Sequence, residues 1–287
     1  MAAALPICLL DGVFVPAQDA RVSPFDRGFL FGDGVYEVIP CFNAKPFRLA
    51  AHLDRLQAGL DALQIANPHS RAQWTKLVHE LIAVNGVGNI GLYLEITRGA
   101  GSGRDFLPQA DLKPTVFGFC WPLAPARNAD LERGISGATL DDIRWLRCDI
   151  KSVALLAPVL LRMQARDRGA DEAILIHDGR LAEGSSSAVF IVEAGRIVSP
   201  PASHERLPSI TRLVVIEAAA ALQLPLDARE VDRAELDGAD EIWIASSTRD
   251  VMPVVRLDKH AVGDGKPGPL WRRVYAQVQA IKRRETR

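Results

Sequence analysis

The chain has 287 residues, with 34 Lys and Arg against 35 Asp and Glu, 48% apolar and 24% charged residues, and a formal net charge of -1. That length accommodates one large domain or two ordinary ones, in the proportions of an ordinary soluble globular protein. Near-neutrality excludes the electrostatic footprint of a nucleic-acid or anionic-membrane binder, and no apolar run approaches the roughly 18–20 residues of a membrane span.

In chain order, residues 7–15 predict a hairpin around Asp11-Gly12. Residues 26–37 form a Gly-rich stretch leading into a strand from Val35 to Phe42 that turns at Asn43-Ala44-Lys45, and Tyr36 and Glu37 start that strand with side chains on opposite faces. Leu53, Leu56, Leu60 and Leu63 recur at helical spacing over 49–64; a second helix over 71–84 has Trp74, Leu77, Leu81 and Ile82 inward. Strands follow at 91–97 and 115–121, separated by a loop that is Gly-rich over 99–105 and too long for a tight turn. The segment 122–132 carries Pro122 and Pro125 without periodicity and reads as a linker between a domain over 1–121 and a second over 133–287. The second half predicts strands at 172–177, 188–193, 196–199 and 241–246, and helices near 156–168, 209–223 and 268–283. Helices and strands mix without a regular βαβ rhythm, which is the pattern of an α+β or mixed α/β protein.

The N-terminal segment has no basic region and runs into a turn, so no signal peptide is expected. Cys8, Cys41, Cys120 and Cys148 are widely spaced and lack a C-x-x-C pair, which predicts buried thiols in a reducing cytoplasm. The six histidines show no ligand spacing, so no catalytic metal is expected. There is no G-x-S-x-G, no Walker A lysine and no G-x-G-x-x-G after a strand.

The residue with most chemical content is Lys151, followed by Ser152 and the apolar run Val153-Ala154-Leu155-Leu156. Most lysines in such runs snorkel to the surface. One that stays partly buried has its ammonium form disfavoured and becomes a nucleophilic amine. Downstream, Glu183 precedes a small polar turn, Gly184 to Ser187. An amine, a distant carboxylate and a polar loop could together serve an aldehyde cofactor such as pyridoxal phosphate, which needs a Schiff-base lysine, an acid for its pyridine nitrogen and a cradle for its phosphate. Two further segments suit phosphate. Ser209 caps an apolar helix whose first residues are Ile210 and Thr211, and Ser246-Ser247-Thr248 ends a strand. Simple capping and an ordinary polar turn are the commoner uses of such segments, and Arg55 reads locally as a solvated helix arginine.

Six ordered segments carry a resemblance: Asp26–Val38 (DRGFLFGDGVYEV), His52–Leu56 (HLDRL), Asp142–Ser152 (DIRWLRCDIKS), Glu183–Ser187 (EGSSS), Ile210–Arg212 (ITR) and Ser246–Thr248. In this order they resemble the fold-type IV pyridoxal-phosphate enzymes, the class IV aminotransferases, and most nearly their D-amino-acid branch. The resemblance implies a small N-terminal α/β sandwich and a larger C-terminal pseudo-barrel. It implies that Lys151 forms the Schiff base and shuttles the α-proton, that Glu183 pairs with the pyridine nitrogen, and that Arg55 grips the phosphate. Ile210, Thr211 and Ser247 would add phosphate contacts, while Ser186 and Ser187 shape the loop behind the ring. Tyr36 would lie near the substrate carboxylate, and Glu37 would be a hydrogen-bonding acid near the lysine. It also implies pyridoxal 5'-phosphate as cofactor, ping-pong transfer from a D-amino acid such as D-alanine to a 2-oxo acid such as 2-oxoglutarate, and a cytoplasmic homodimer.

The loop after Thr97-Arg98-Gly99 departs from the family pattern. Where D-amino-acid enzymes commonly have Pro-Arg-x-His, the proline is replaced, Arg104 falls one position late and Phe106 stands about where the histidine would. Arg104 is expected either to contact the substrate carboxylate bidentately or to be a mobile loop arginine. Branched-chain L-amino-acid aminotransferase, (R)-amine transaminase and aminodeoxychorismate lyase are the competing activities. Branched-chain enzymes typically read Glu-Gly-Ile-Arg where this chain reads Glu37-Val38-Ile39-Pro40. A cofactor-carrying protein without activity is disfavoured because both Lys151 and Glu183 are present.

Overall fold

The computed structural model describes residues 2–86, 88–124 and 127–287. The chain divides into two units: Met1–Pro125 with Ile150–Leu155 and Thr286–Arg287, and Ala126–Asp149 with Leu156–Glu285. Within the expected linker, residues 125 and 126 lie outside the described residues, and 128–133 form a short helix instead of an extended connection.

The first unit contains β1 (Ile7–Leu10), β2 (Val13–Pro16), α1 (Arg27–Phe31), β3 (Gly34–Phe42), β4 (Lys45–Pro46), α2 (Leu49–Leu63), α3 (Arg71–Asn85), β5 (Ile90–Thr97) and β6 (Thr115–Pro122). Its strands form one antiparallel sheet in the order β2-β1-β6-β5-β3-β4. The two tight hairpins have the positive φ pairs that match strand twist, Asp11 at 49° with Gly12 at 84°, and Asn43 at 52° with Ala44 at 59°. Because side chains alternate along a strand, Val35, Ile39, Leu92, Leu94, Ile96, Val116 and Cys120 share the face on which α2 lays Leu53, Leu56 and Leu60. Helix α3 adds Trp74, Val78, Leu81 and Ile82; Leu77, expected inward, sits partly buried at the margin. A capping box between Ser70 and Gln73 starts that helix.

Helix α1 is an element that periodicity does not predict. Asp26 caps it by accepting from the Gly28 N–H at 2.8 Å, and Gly32 ends it at φ 68°. A Cβ on Gly32 would meet the Ala154 Cβ at 2.9 Å, so a glycine here permits both the left-handed turn and the close approach of the segment 150–155. That segment joins the first unit as an extra strand-like edge on β3. The Tyr36 N–H donates to the Lys151 carbonyl at 3.0 Å, the Val153 N–H donates to the Gly34 carbonyl at 3.1 Å, and Val35 bridges Ser152. Ile150 anchors the segment in the hydrophobic core.

The second unit contains α4 (Asn128–Arg133), β7 (Ile135–Asp141), α5 (Leu156–Asp167), β8 (Glu172–His177), β9 (Arg180–Gly184), β10 (Ala188–Glu193), β11 (Arg196–Ser199), α6 (Ile210–Ala221), β12 (Leu226–Ala228), α7 (Glu235–Gly238), β13 (Glu241–Ser246), β14 (Asp250–Leu257), β15 (His260–Ala261) and α8 (Pro269–Glu285). The strand order is β12-β11-β10-β13-β14-β7-β8-β9, with β15 on β14. Strand β9 ends the row and β10 stands third from the opposite edge, yet only Ser185, Ser186 and Ser187 connect them. The sheet must therefore curl until β9 and β10 meet, and the Gly184 N–H donates to the Ser187 carbonyl at 2.7 Å across that junction. Helices α5 and α6 are the crossovers of two parallel pairs, β7-β8 and β11-β12. Central strands β10 and β13 are almost wholly buried and read as continuous apolar runs. Strand β14 is not among the expected elements, and it carries Pro253, which removes a ladder donor from a central strand. Its pairing with β7 begins at Val254, one residue beyond the proline.

Gly32→Ala is expected to destabilise the protein by about 1–3 kcal/mol, since it combines a strained φ with a backbone clash. Urea unfolding measures this; an unchanged midpoint would refute the requirement for glycine at this position.

Candidate active site

Backbone pairing to β3 sets the position of Lys151. The pairing brings the lysine Nζ to 4.2 Å from the Tyr36 ring centroid, in cation–π range, and leaves the residue half-buried. Tyr36 in turn stacks on Tyr93 at 5.4 Å, whose hydroxyl donates to Glu95 at 2.7 Å.

On the opposite face of β3, Glu37 is fully buried. Its carboxylate accepts from Arg55 Nε and Nη2, each at 2.7 Å, in a bidentate fork, and lies 2.7 Å from His52 Nδ1. An ionised carboxylate can only accept, so His52 carries its proton on Nδ1. Burial alone would raise the Glu37 pKa, but the charge and hydrogen bonds of Arg55, with those of His52, outweigh it and hold the acid at about 2. Burial holds the His52 pKa below its ordinary value despite the neighbouring carboxylate. Arg55 is thus not a solvated helix arginine: its side chain is 9% exposed and reaches inward from α2 to Glu37. His52 is not among the expected site residues, although it stands three residues before Arg55 on the same helix face.

In the second unit Glu183 is buried at the end of β9. It pairs with Arg144 Nη1 and accepts from the Leu207 N–H at 3.3 and 3.2 Å. Arg144 is itself gripped by Asp142, through Nε at 2.9 Å and Nη2 at 2.7 Å. Burial works against the guanidinium, but Asp142 and Glu183 outweigh it and raise the pKa above the ordinary arginine value. Arg144 has no expected role from sequence. The available signal is Asp142-x-Arg144, which in extended chain puts both side chains on one side.

Ser209 caps α6 as expected, its hydroxyl accepting from the Arg212 N–H at 3.2 Å, so Ile210 and Thr211 begin the helix. The loop Ser185–Ser187 and the turn Ser246–Thr248 both lie in this unit. Two of their hydroxyls, Ser187 Oγ and Ser246 Oγ, are buried with no hydrogen-bond partner among the described residues. Ser247, the expected phosphate contact, stands on the same turn and is half-buried.

Arg104 lies elsewhere in the first unit. It is exposed, with its guanidinium 5.5 Å from the Phe31 ring and 5.3 Å from the Phe106 ring. Arg27 ties this loop to α1, donating to the Asp105 carbonyl at 2.7 Å and the Phe106 carbonyl at 2.9 Å. The structure therefore brings Lys151, Tyr36, Glu37 and Arg55 around β3, brings Glu183 to Arg144, and sets Arg104 on an aromatic-lined loop.

The depressed pKa values of Glu37 and His52 give a pH signature. Each group adds stability above its unfolded pKa and loses it as pH falls through the folded one. Stability is expected to drop first below 6.5 as His52 is forced to charge, then from 4.5 towards 2 as Glu37 protonates. Glu37→Gln is expected to cost about 3–5 kcal/mol at neutral pH, since Arg55 loses its buried counter-charge, and to flatten the lower limb. Urea unfolding across the pH range tests both; an acid limb identical to wild type would remove Glu37 from this account.

The sequence profile of amino-transferase class IV matches residues 34–257. The D-alanine aminotransferase of Bacillus licheniformis is 37% identical over 271 residues, covering 94% of this chain and 95% of its own. That of Staphylococcus haemolyticus is 36% identical over 265 residues, covering 92% and 94%. Among solved structures, a T.th. branched-chain amino acid aminotransferase with pyridoxamine 5'-phosphate matches with a TM-score of 0.91 at 25% identity, over 98% of this chain and 95% of that one. Escherichia coli branched-chain amino acid aminotransferase shares the fold, with a TM-score of 0.92 at 24% identity over 99% and 96%. Kinship along nearly the whole chain, together with the expected sandwich and curled sheet, shows that this protein belongs to the class IV aminotransferase family.

Proposed function

We propose that the protein transfers the amino group of a D-amino acid, with D-alanine as the type donor, to a 2-oxo acid such as 2-oxoglutarate, using pyridoxal 5'-phosphate. The observation that carries this reading is Lys151, a half-buried amine held by its own main chain on the edge of β3 and set over Tyr36.

The residues fit the cofactor. Glu183 is a carboxylate oriented by Arg144 and the Leu207 N–H, the kind of acceptor that a protonated pyridine nitrogen needs. The unpartnered hydroxyls of Ser187 and Ser246 suit a phosphate or a ring oxygen. The start of α6, at Ile210 and Thr211, offers N–H groups and the positive end of a helix. Arg55 and Ser247 complete the proposed phosphate set. Bound there, pyridoxal phosphate supplies an aldehyde for the incoming amine and a ring that takes up the electron pair left when the α-proton departs.

Lys151 Nζ accepts that α-proton and returns it, a role that needs an amine neutral for part of the cycle. Glu183 keeps the pyridine nitrogen protonated throughout. Tyr36 faces the substrate carboxylate, and Arg104 is the candidate second contact. The donor leaves as a 2-oxo acid before the acceptor enters, so the kinetics are ping-pong. Kinship to D-alanine aminotransferases and the run Glu37-Val38-Ile39-Pro40 support a D-amino-acid donor. A homodimer is supported by Phe25, Phe29, Phe106 and Leu107, which are 52–78% exposed in the first unit and would be covered by a second copy. Among the described residues no helix is long and apolar enough to cross a membrane. The four cysteines are free and buried, which supports a cytoplasmic enzyme.

The purified protein is expected to be yellow. Lys151→Ala should lose the lysine-bound chromophore and slow turnover by about 10²–10⁴-fold; a borohydride-reducible link at another lysine would refute the assignment. Glu183→Ala should keep the cofactor and lose most turnover, and near-wild-type rates would sink its role. Mixing the yellow enzyme with D-alanine, L-leucine, (R)-1-phenylethylamine or aminodeoxychorismate decides the donor. Bleaching by D-alanine supports the proposal, and bleaching by L-leucine alone overturns it in favour of a branched-chain activity.

A further inference from the structure

Glu172 opens β8 and is fully buried. A buried carboxylate must be hydrogen-bonded and charge-compensated or it destabilises the fold. Its Oε1 accepts from its neighbour's backbone, the Ala173 N–H, at 3.2 Å, and from the Ser185 hydroxyl. Its Oε2 pairs with Arg249, and with Arg162 Nη1 at 3.3 Å. Arg162 is the looser partner, with a side chain 43% exposed on α5 against 29% for Arg249.

The position of these partners in the chain is what makes the cluster informative. Ser185 belongs to the loop between β9 and β10. Arg249 belongs to the turn between β13 and β14, which also carries Ser247 and Thr248 and follows directly on Ser246, the last residue of β13. Arg249 Nη2 additionally lies 3.5 Å from the Ser186 hydroxyl. The loop is fixed further by the Ser185 N–H donating to the Ala173 carbonyl at 3.0 Å. Each of the two segments held in this way contributes one of the unpartnered buried hydroxyls, Ser187 Oγ and Ser246 Oγ. A buried ion pair is seldom the cheapest way to stabilise a core, and its clearest use is to specify one arrangement.

We infer that Glu172 and Arg249 form a positioning clasp that locks the loop Ser185–Ser187 and the turn Ser246–Thr248 into a single geometry, so that both hydroxyls are set for the bound cofactor. Neither residue touches the reacting atoms. Their effect is preorganisation: with the clasp closed, cofactor binding does not have to order two loops. The inference rests on the pyridoxal-phosphate reading above.

The test follows cofactor release from holoenzyme during dialysis, by absorbance and by the fluorescence of released pyridoxal phosphate. Arg249→Gln and Glu172→Gln are each expected to speed release and weaken the cofactor's Kd by about tenfold or more, the scale of lost outer supporting contacts. The double variant should be little worse than either single one, because the two residues act as a unit. Arg249→Lys, which restores the charge without the planar guanidinium, should recover part of the loss. Because Arg249→Gln leaves the buried Glu172 carboxylate with Arg162 alone, its cofactor-free form is expected to unfold at lower urea, so release is read in native buffer where both proteins remain folded. Wild-type cofactor retention in Arg249→Gln overturns the clasp, as does a change confined to the KM for the amino donor, which would make Arg249 a substrate contact. Failure of the wild-type protein to take up pyridoxal phosphate would instead overturn the functional reading beneath it.

Discussion

Two main-chain hydrogen bonds between β3 and the segment 151–153 fix where Lys151 sits, and the proposed chemistry depends on them. They run from the Tyr36 N–H to the Lys151 carbonyl and from the Val153 N–H to the Gly34 carbonyl. A lysine side chain has four rotatable carbons and strong hydration, so side-chain contacts alone hold an amine poorly. Fixing the backbone on both sides reduces the freedom that remains to be lost. The Gly-rich entry to β3 serves this arrangement, since Gly32 leaves room for Ala154 and the pairing then aligns Tyr36 beneath the amine.

Three buried carboxylates share a second pattern. Glu37, Glu183 and Glu172 are each 7% exposed or less, and each is closed by an arginine of its own unit: Arg55, Arg144 and Arg249 respectively. Burial favours protonation of an acid, and the paired guanidinium reverses that preference. At Glu37 the balance is resolved, and the acid stays ionised far below neutral pH. Each arginine thus gives its buried carboxylate a fixed partner and defined lone-pair directions, where an unpaired acid would face the full cost of burial.

Much of the fold was legible because local signals agreed with tertiary packing. The Asp11-Gly12 and Asn43-Ala44 turns, the leucine stripe of α2 and the Ser209 cap of α6 each follow from residues within a few positions. Helix α1 was not legible. It depends on Asp26, which also accepts from the hydroxyls of Thr97 and Thr115 at 3.0 and 2.7 Å, both distant in sequence. Strand β7 has too few apolar residues in Ile-Ser-Gly-Ala-Thr-Leu-Asp to announce itself, and it exists because β8 and β14 flank it. Arg55 read as solvated because its partner lies on a strand and no helical spacing could reveal it. Arg249 and Glu172 carried no signal at all, since their meeting depends on how a curled sheet brings two loops together.

By itself the sequence determined the family and the order of its motifs, and it nominated the amine and the acid, because chemistry restricts which residue types can serve and motif order survives without coordinates. Only the tertiary structure decided which charges are buried, which arginine answers which carboxylate, and which hydroxyls are left without partners. Those are properties of long-range pairing, and a carboxylate's ionisation depends on what surrounds it in space, whatever its neighbours along the chain.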